Sequence, residues 1–165
     1  MTETEVPPID PSVPRRCICR AFEDEPGPCP RCQGTLNQQV QTYSVATRRG
    51  NRLTDTFLIS SDFGWFCKDC PTVVINPAQV GEMLSYSRPD WDTGDAFAVL
   101  GLVDLDAVPK DKEHLPLGDD DNPIPLVEFT AVSGSPGARP ARRRRSKRSR
   151  PKRSKSKRRK KKRRR

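Results

Sequence analysis

The sequence predicts a small α+β fold, mostly β: a cysteine-rich β-hairpin module, then one short helix and a few strands, then a disordered basic tail. Three observations carry that reading. Apolar and polar residues alternate on both sides of a glycine turn, a later stretch has the start signals of a single helix, and basic residues crowd into one end of the chain.

Charge sets the boundaries. The chain has 165 residues, with 31 Lys/Arg against 21 Asp/Glu and a formal net charge of +10. Twenty of the basic residues and no acid lie between Arg139 and Arg165, which leaves 11 basic residues against all 21 acids in residues 1–138. A body near −10 joined to a tail near +20 has the charge pattern of an appended interaction segment, not of a basic domain. Four parts follow: a flexible leader (1–14), a Cys-rich module (15–75), an acidic α+β segment packed on it (76–132), and a linker with the polybasic tail (133–165).

The leader, "MTETEVPPIDPSVP", is polar, acidic and proline-rich, without the apolar run of an export signal. No stretch approaches the ~18 apolar residues of a membrane-spanning helix. The expectation is therefore an intracellular protein of the cytoplasm or nucleoid (the nucleus in a eukaryote) with no membrane association. In that reducing setting cysteine pairs bind metal or do redox chemistry more often than they form structural disulfides.

The elements follow in chain order. In "NQQVQTYSVATRRGNRLTDTFLIS", Tyr43 and Val45 alternate with polar neighbours, and Leu53, Phe57 and Ile59 do the same beyond the Gly50-Asn51 turn. Alternation of period two around such a turn predicts a β-hairpin. "GWFC" is expected to supply its third strand and "PTVVI" another. In "NPAQVGEMLSYS", Asn76 is placed to cap a helix, Pro77 suits its first position, and Gln79 stands where a capping box wants Glu or Gln. Val80, Met83 and Leu84 then share the buried face, with Gly81 weakening the helix. "DAFAVLGLVDLDAV" and "IPLVEFTAV" read as strands of a small sheet. "SGSPGARPA" and the Arg/Lys/Ser tail have no apolar face to bury, and like charges there repel, so the tail is expected to be disordered.

Six cysteines fall as Cys17-x-Cys19, Cys29-x2-Cys32 and Cys67-x2-Cys70. A Cys-x2-Cys turn points both sulfurs at one place, and its backbone amides can donate to the thiolates. Two such turns, held together by the intervening hairpin, supply the four tetrahedral thiolates that Zn2+ prefers. One structural Zn2+ on Cys29, Cys32, Cys67 and Cys70 is the expected cofactor, and its binding adds folding free energy to a thin core. Iron in the same site, a redox dithiol and disulfides are the alternatives. A redox dithiol lacks the βαβ context that such chemistry uses. Cys17 and Cys19 are spectators or additional ligands; a rival set takes Cys17, Cys19, Cys29 and Cys32.

"CPRCQG", a long hairpin insert and "GWFCKDC" together resemble a zinc ribbon across about residues 27–72. Such ribbons occur in transcription-machinery proteins, ribosomal proteins and the amino-terminal half of some bacterial antitoxins. Two details depart from the usual ribbon: Gln33 precedes Gly34 after the first pair, and Pro71 follows the second. The resemblance implies a fold and a metal, not an activity.

The sequence offers no catalytic constellation. His114, the only histidine, lies in a charged, turn-rich stretch and reads as solvated, and "GDDDNP" reads as an acidic loop without EF-hand spacing. No phosphate-binding Gly loop, nucleophile elbow or zinc-protease helix is present, and a four-cysteine zinc site has no open position. The expectation is a non-enzymatic protein without a small-molecule substrate. It associates with DNA or RNA with little sequence specificity. Binding residues are Arg48, Arg49 and Arg52 at the hairpin tip and the tail cations Arg142, Arg143, Arg144, Arg145, Lys147, Arg148, Arg150, Lys152, Arg153, Lys155, Lys157, Arg158, Arg159, Lys160, Lys161, Lys162, Arg163, Arg164 and Arg165. Two other classes stay open: an interaction adaptor whose acidic body docks a basic protein partner, and a cysteine-based redox or metal-handling protein.

Overall fold

A computed structural model describes residues 6–87 and 96–134. It is mostly β with one short helix. The strands are β1 (Arg16–Cys19), β2 (Leu36–Gln38), β3 (Gln41–Arg49), β4 (Arg52–Ser61), β5 (Gly64–Cys67), β6 (Thr72–Ile75), β7 (Ala96–Val103), β8 (Leu126–Glu128) and β9 (Ala131–Gly134), and helix α1 is Pro77–Ser87. They form a five-stranded sheet of order β2-β5-β6-β1-β9 and a four-stranded sheet of order β4-β3-β7-β8. In the larger sheet β1 runs parallel to both β6 and β9 and the other pairs are antiparallel; the smaller sheet is antiparallel throughout.

The hairpin forms where alternation and the turn place it. Gly50 has φ of 60°, and Asn51 stays out of the left-handed region. That is the pattern of a turn with glycine at its first central position, whose twist matches the flanking strands. Tyr43 pairs with Ile59 and Val45 with Phe57, and both β3 residues are fully buried. Leu53 breaks the expected pattern. Between the pairs Ala46–Thr56 and Arg48–Leu53, β4 carries one residue more than β3, a bulge in which the Asp55 amide donates to Thr47 Oγ1 at 3.2 Å. The extra residue reverses side-chain parity, so Leu53 turns outward and is 56% exposed.

"GWFC" is a strand but not a third strand of that hairpin: it lies in the other sheet, between β2 and β6. "IPLVEFTAV" likewise splits between sheets. Its first half is β8, beside β7; its second half is β9, beside β1. The crossing is pinned by Phe129 N donating to Leu100 O (3.0 Å) and Thr130 N to Arg15 O (2.9 Å). The Cys-rich stretch and the acidic stretch therefore contribute strands to both sheets.

The helix starts at Asn76, whose Oδ1 accepts from the Ala78 amide at 3.1 Å, while its Nδ2 donates to Phe22 O at 2.8 Å. The capping box does not close, because Gln79 Oε1 is buried without a partner. Val80 and Leu84 are buried and Met83 packs on them. Gly81 is explained by packing: a Cβ there would stand 3.3 Å from the Phe97 ring.

Period-two alternation divides the larger sheet into two faces. Cys17, Val73 and Phe66 share one row and face the main core with Tyr43, Val45, Val80, Phe97 and Leu102. Ile18, Val74 and Trp65 share the next row and face the opposite way, with Leu36, Phe22, Cys29 and Cys67. The leader from Val6 runs along this region without strand or helix. Gln39 holds it at two points, accepting from Ile9 N at 2.8 Å and donating to Pro7 O at 2.9 Å.

Candidate metal centre

The outer face of the larger sheet ends in two cysteine turns. Strands β2 and β5 pair antiparallel with Leu36 opposite Cys67, so the first turn leads into β2 while the second leaves β5 at the same end. The Lys68 amide donates to Thr35 O at 3.3 Å and ties the two turns together. This short pairing, rather than the long β3–β4 hairpin itself, brings the sulfurs into one place.

The four sulfurs of Cys29, Cys32, Cys67 and Cys70 all lie within 4.8 Å of one another. Cys29 Sγ is 3.7 Å from Cys70 Sγ, and Cys32 Sγ is 3.4 Å from Cys67 Sγ. A tetrahedral ion with bonds of about 2.3 Å needs sulfurs about 3.8 Å apart. These two edges, each linking one turn to the other, come close to that figure, so the donor set fits a single tetrahedral metal ion. All four are free cysteines. Cys29 and Cys67 are buried, Cys70 is half-buried and Cys32 reaches the surface.

Backbone amides prepare the site for negative sulfur. Burial opposes ionisation of Cys29, but the amides of Cys32 and Arg31 and the sulfurs of Cys70 and Cys32 together outweigh it and bring the thiol down to about 7. The Gly34 amide points at Cys32 Sγ, 3.4 Å away. The amides of Asp69 and Cys70 aim in the same way at Cys67, although burial keeps that thiol above its ordinary value. Burial also pushes Cys70 up, and Thr72 Oγ1 lies 3.2 Å from its sulfur. The spacing of the cysteines foretold the amides. It did not foretell Thr72, although a hydroxyl two residues beyond the last ligand is a signal the sequence carried.

The first turn explains "CPRCQG". Gln33 N donates to Cys29 O at 2.9 Å, and Cys29 N donates to Gly34 O at 2.8 Å. This tight loop forces φ of 65° on Gln33, the only non-glycine residue in the left-handed region among the described residues. Gly34 answers a different need: a Cβ there would collide with the Asp69 carboxylate and stand 3.2 Å from Cys32 Sγ. Left-handed conformation costs a non-glycine residue about 1–2 kcal/mol, partly offset by the greater chain entropy glycine loses on folding. Gln33→Gly is therefore expected to stabilise the metal-loaded protein by about 0.5–1 kcal/mol in a denaturant titration. A variant less stable than wild type would show that the Gln33 side chain holds the turn.

Cys17 and Cys19 stand apart. Their sulfurs are 3.8 Å from each other, but both are buried in the main core, on the far face of the sheet from Cys67. The neighbouring Cys19 sulfur and burial hold the Cys17 thiol well above its ordinary value. The rival ligand set of Cys17, Cys19, Cys29 and Cys32 is not brought together, because strand parity sends the first pair through the sheet.

The other sequence candidates separate from the metal centre. Arg48, Arg49 and Arg52 are exposed at the hairpin tip. The nine residues of β3, at about 3.3 Å each, put that tip roughly 25 Å beyond the strand's base. The tail cations from Arg142 to Arg165 lie outside the described residues, as does the expected tail disorder. His114 is exposed. In "GDDDNP" the three aspartates are exposed, and the loop is organised by buried Asn122, whose Nδ2 donates to the Lys112 and Leu115 carbonyls at 3.2 Å each. Among the described residues no helix is long and apolar enough to cross a membrane. No family model matches the chain, and neither a curated protein nor a solved structure matches it.

Proposed function

We propose that this chain is a non-enzymatic zinc protein that associates with nucleic acid through its polycationic tail, with little sequence specificity. One structural Zn2+, held in the manner of a zinc ribbon by Cys29, Cys32, Cys67 and Cys70, fastens the body from which the tail extends. The observation that carries the metal half is the convergence of the four sulfurs within 4.8 Å. Four protein ligands close the coordination sphere, so the ion has no position for a substrate and acts on stability alone. The nucleic-acid half rests on the division of charge between body and tail. A run of cations neutralises phosphates and releases their counterions without reading bases.

Native mass spectrometry of the full chain, purified under reducing conditions, tests both halves. One zinc per chain is expected, as is comparable binding to unrelated duplex DNA and single-stranded RNA sequences. A chain that carries zinc but binds no nucleic acid would favour the adaptor reading, with the acidic body docking a basic partner.

The hairpin tip makes a smaller contribution in this reading. Arg48, Arg49 and Arg52 are exposed but few. Replacing all three by alanine is expected to reduce the log–log salt slope of duplex binding by at most about 3, since each phosphate contact is worth about 0.9. A larger change would move the principal interface from the tail to the tip.

A further inference from the structure

Arg15 is a buried cation that the charge of Asp10 supports but whose guanidinium is poorly hydrogen-bonded. Only 8% of its surface is exposed, yet its Nε has no hydrogen-bond partner. Its one side-chain hydrogen bond, from a terminal guanidinium nitrogen to Asp10 O, is long at 3.4 Å. Its guanidinium carbon lies 5.6 Å from the centre of the Phe66 ring, a contact that accommodates the charge without neutralising it. A buried charge is unfavourable unless it is paired and fully hydrogen-bonded, and with one long hydrogen bond this guanidinium has room for an anionic partner beyond Asp10.

The fold fixes what stands beside it. Arg16 N donates to Pro71 O at 2.9 Å, which sets residue 15 next to the end of the second cysteine turn. Arg15, Asp10, Phe66, Cys67, Cys70 and Pro71 line one cavity of about 420 Å³, with other leader residues along one side. Burial works against the charge on Arg15, while Asp10, Cys67 and Cys70 support it.

The metal centre has the complementary deficiency. A divalent ion with four thiolates carries a formal double negative charge, and amide dipoles offset it only in part. No lysine or arginine other than Arg15 is buried among the described residues. We propose that Arg15 is the built-in counter-charge of the metal centre, a positioning residue that raises metal affinity through the Cys67–Cys70 side of the cluster. The inference rests on the four-cysteine metal reading and deepens it. The assignment also gives the leader a role: by covering Arg15 it keeps water from screening the attraction.

The test is zinc competition against a colorimetric chelator with the full chain, comparing wild type, Arg15→Lys and Arg15→Met. Arg15→Met is expected to weaken zinc binding by about tenfold or more, the usual size of an outer-shell effect, and Arg15→Lys by much less. Cobalt(II) spectra should keep the four-sulfur signature in all three. A second readout separates charge from packing. Without metal, Arg15→Met removes a buried, poorly hydrogen-bonded cation, so the metal-free variant should be as stable as metal-free wild type or more so. With zinc bound the order should reverse. If Arg15→Met does not fold, Arg15→Gln, which keeps much of the length without the charge, carries the same expectation. Equal zinc affinity in wild type and Arg15→Met overturns the proposal, as does equal loss in the Lys and Met variants, or destabilisation with and without metal alike. A wild-type chain that takes up no zinc overturns the metal reading itself, and this inference with it.

Discussion

Replacing Cys67 by serine is expected to take the chain from one bound zinc to none and to melt the outer face of the larger sheet. Apparent binding to closed zinc sites in small folding units reaches about 10–16 kcal/mol near neutral pH, and it counts as folding free energy wherever the site forms only in the folded chain. Little else holds that face: the cluster around Cys29, Leu36, Cys67 and Val74 is small, and loops bound it on one side. The main core is different. Tyr43, Val45, Phe97 and Leu102 are buried between the sheets without help from the metal. Hydrogen exchange should therefore show residues 27–38 and 64–72 losing protection while β3 and β7 keep theirs. Cys29→Ser, Cys32→Ser and Cys70→Ser should behave alike. Alanine at both Cys17 and Cys19 should leave zinc stoichiometry unchanged, with only a core-packing cost. Burial holds the metal-free Cys67 and Cys70 thiols above their ordinary values, so both carry protons at neutral pH. Zinc must displace those protons, and its affinity should fall as the pH is lowered. If the Cys17/Cys19 double variant loses zinc while the Cys67/Cys70 variant keeps it, the ligand assignment is wrong.

Removing the tail is expected to have an effect of similar size on a different property. A chain ending at Gly134 keeps the nine strands of the described residues, including the β9 pairing of Gly134 with Cys19. It should lose most affinity for nucleic acid. If roughly eight tail cations engage phosphates at once, the full chain has a log–log salt slope of about −7 on duplex DNA and about −5.6 on single strands. Its duplex affinity then falls by about four decades between ~50 and ~200 mM salt. Phosphorylation at Ser146, Ser149, Ser154 or Ser156 adds nearly two negative charges each and should weaken binding stepwise. A salt titration of both chains decides the matter. Equal affinity and equal slope would make the tail a passenger and the body the binding module.

Much of the architecture was legible because local chemistry and tertiary packing agree. Asn76 and Pro77 start a helix wherever they stand, and the Gly50 turn favours a hairpin before any contact forms. The two Cys-x2-Cys turns announce their sulfurs through a spacing that works within a few residues. Other features needed the assembled sheets. Leu53 carries the hairpin's apolar pattern, yet a bulge two residues away turns it to solvent. "GWFC" reads as a neighbour of the long hairpin, yet it pairs with β2, a strand of three residues too short to leave a pattern.

By itself, then, the sequence determined the mostly-β composition, the helix after Asn76, the division of charge and the two Cys-x2-Cys turns. These depend on dihedral preferences, periodicity and short-range spacing, all of which act along the chain. Only the tertiary structure decided that Cys17 and Cys19 belong to the core, that Gln33 bears the strained position beside Gly34, and that Arg15 is buried near the four-cysteine cluster. Those outcomes depend on strand order and on which face of a sheet each residue meets, and both are set by pairings between residues far apart in the chain.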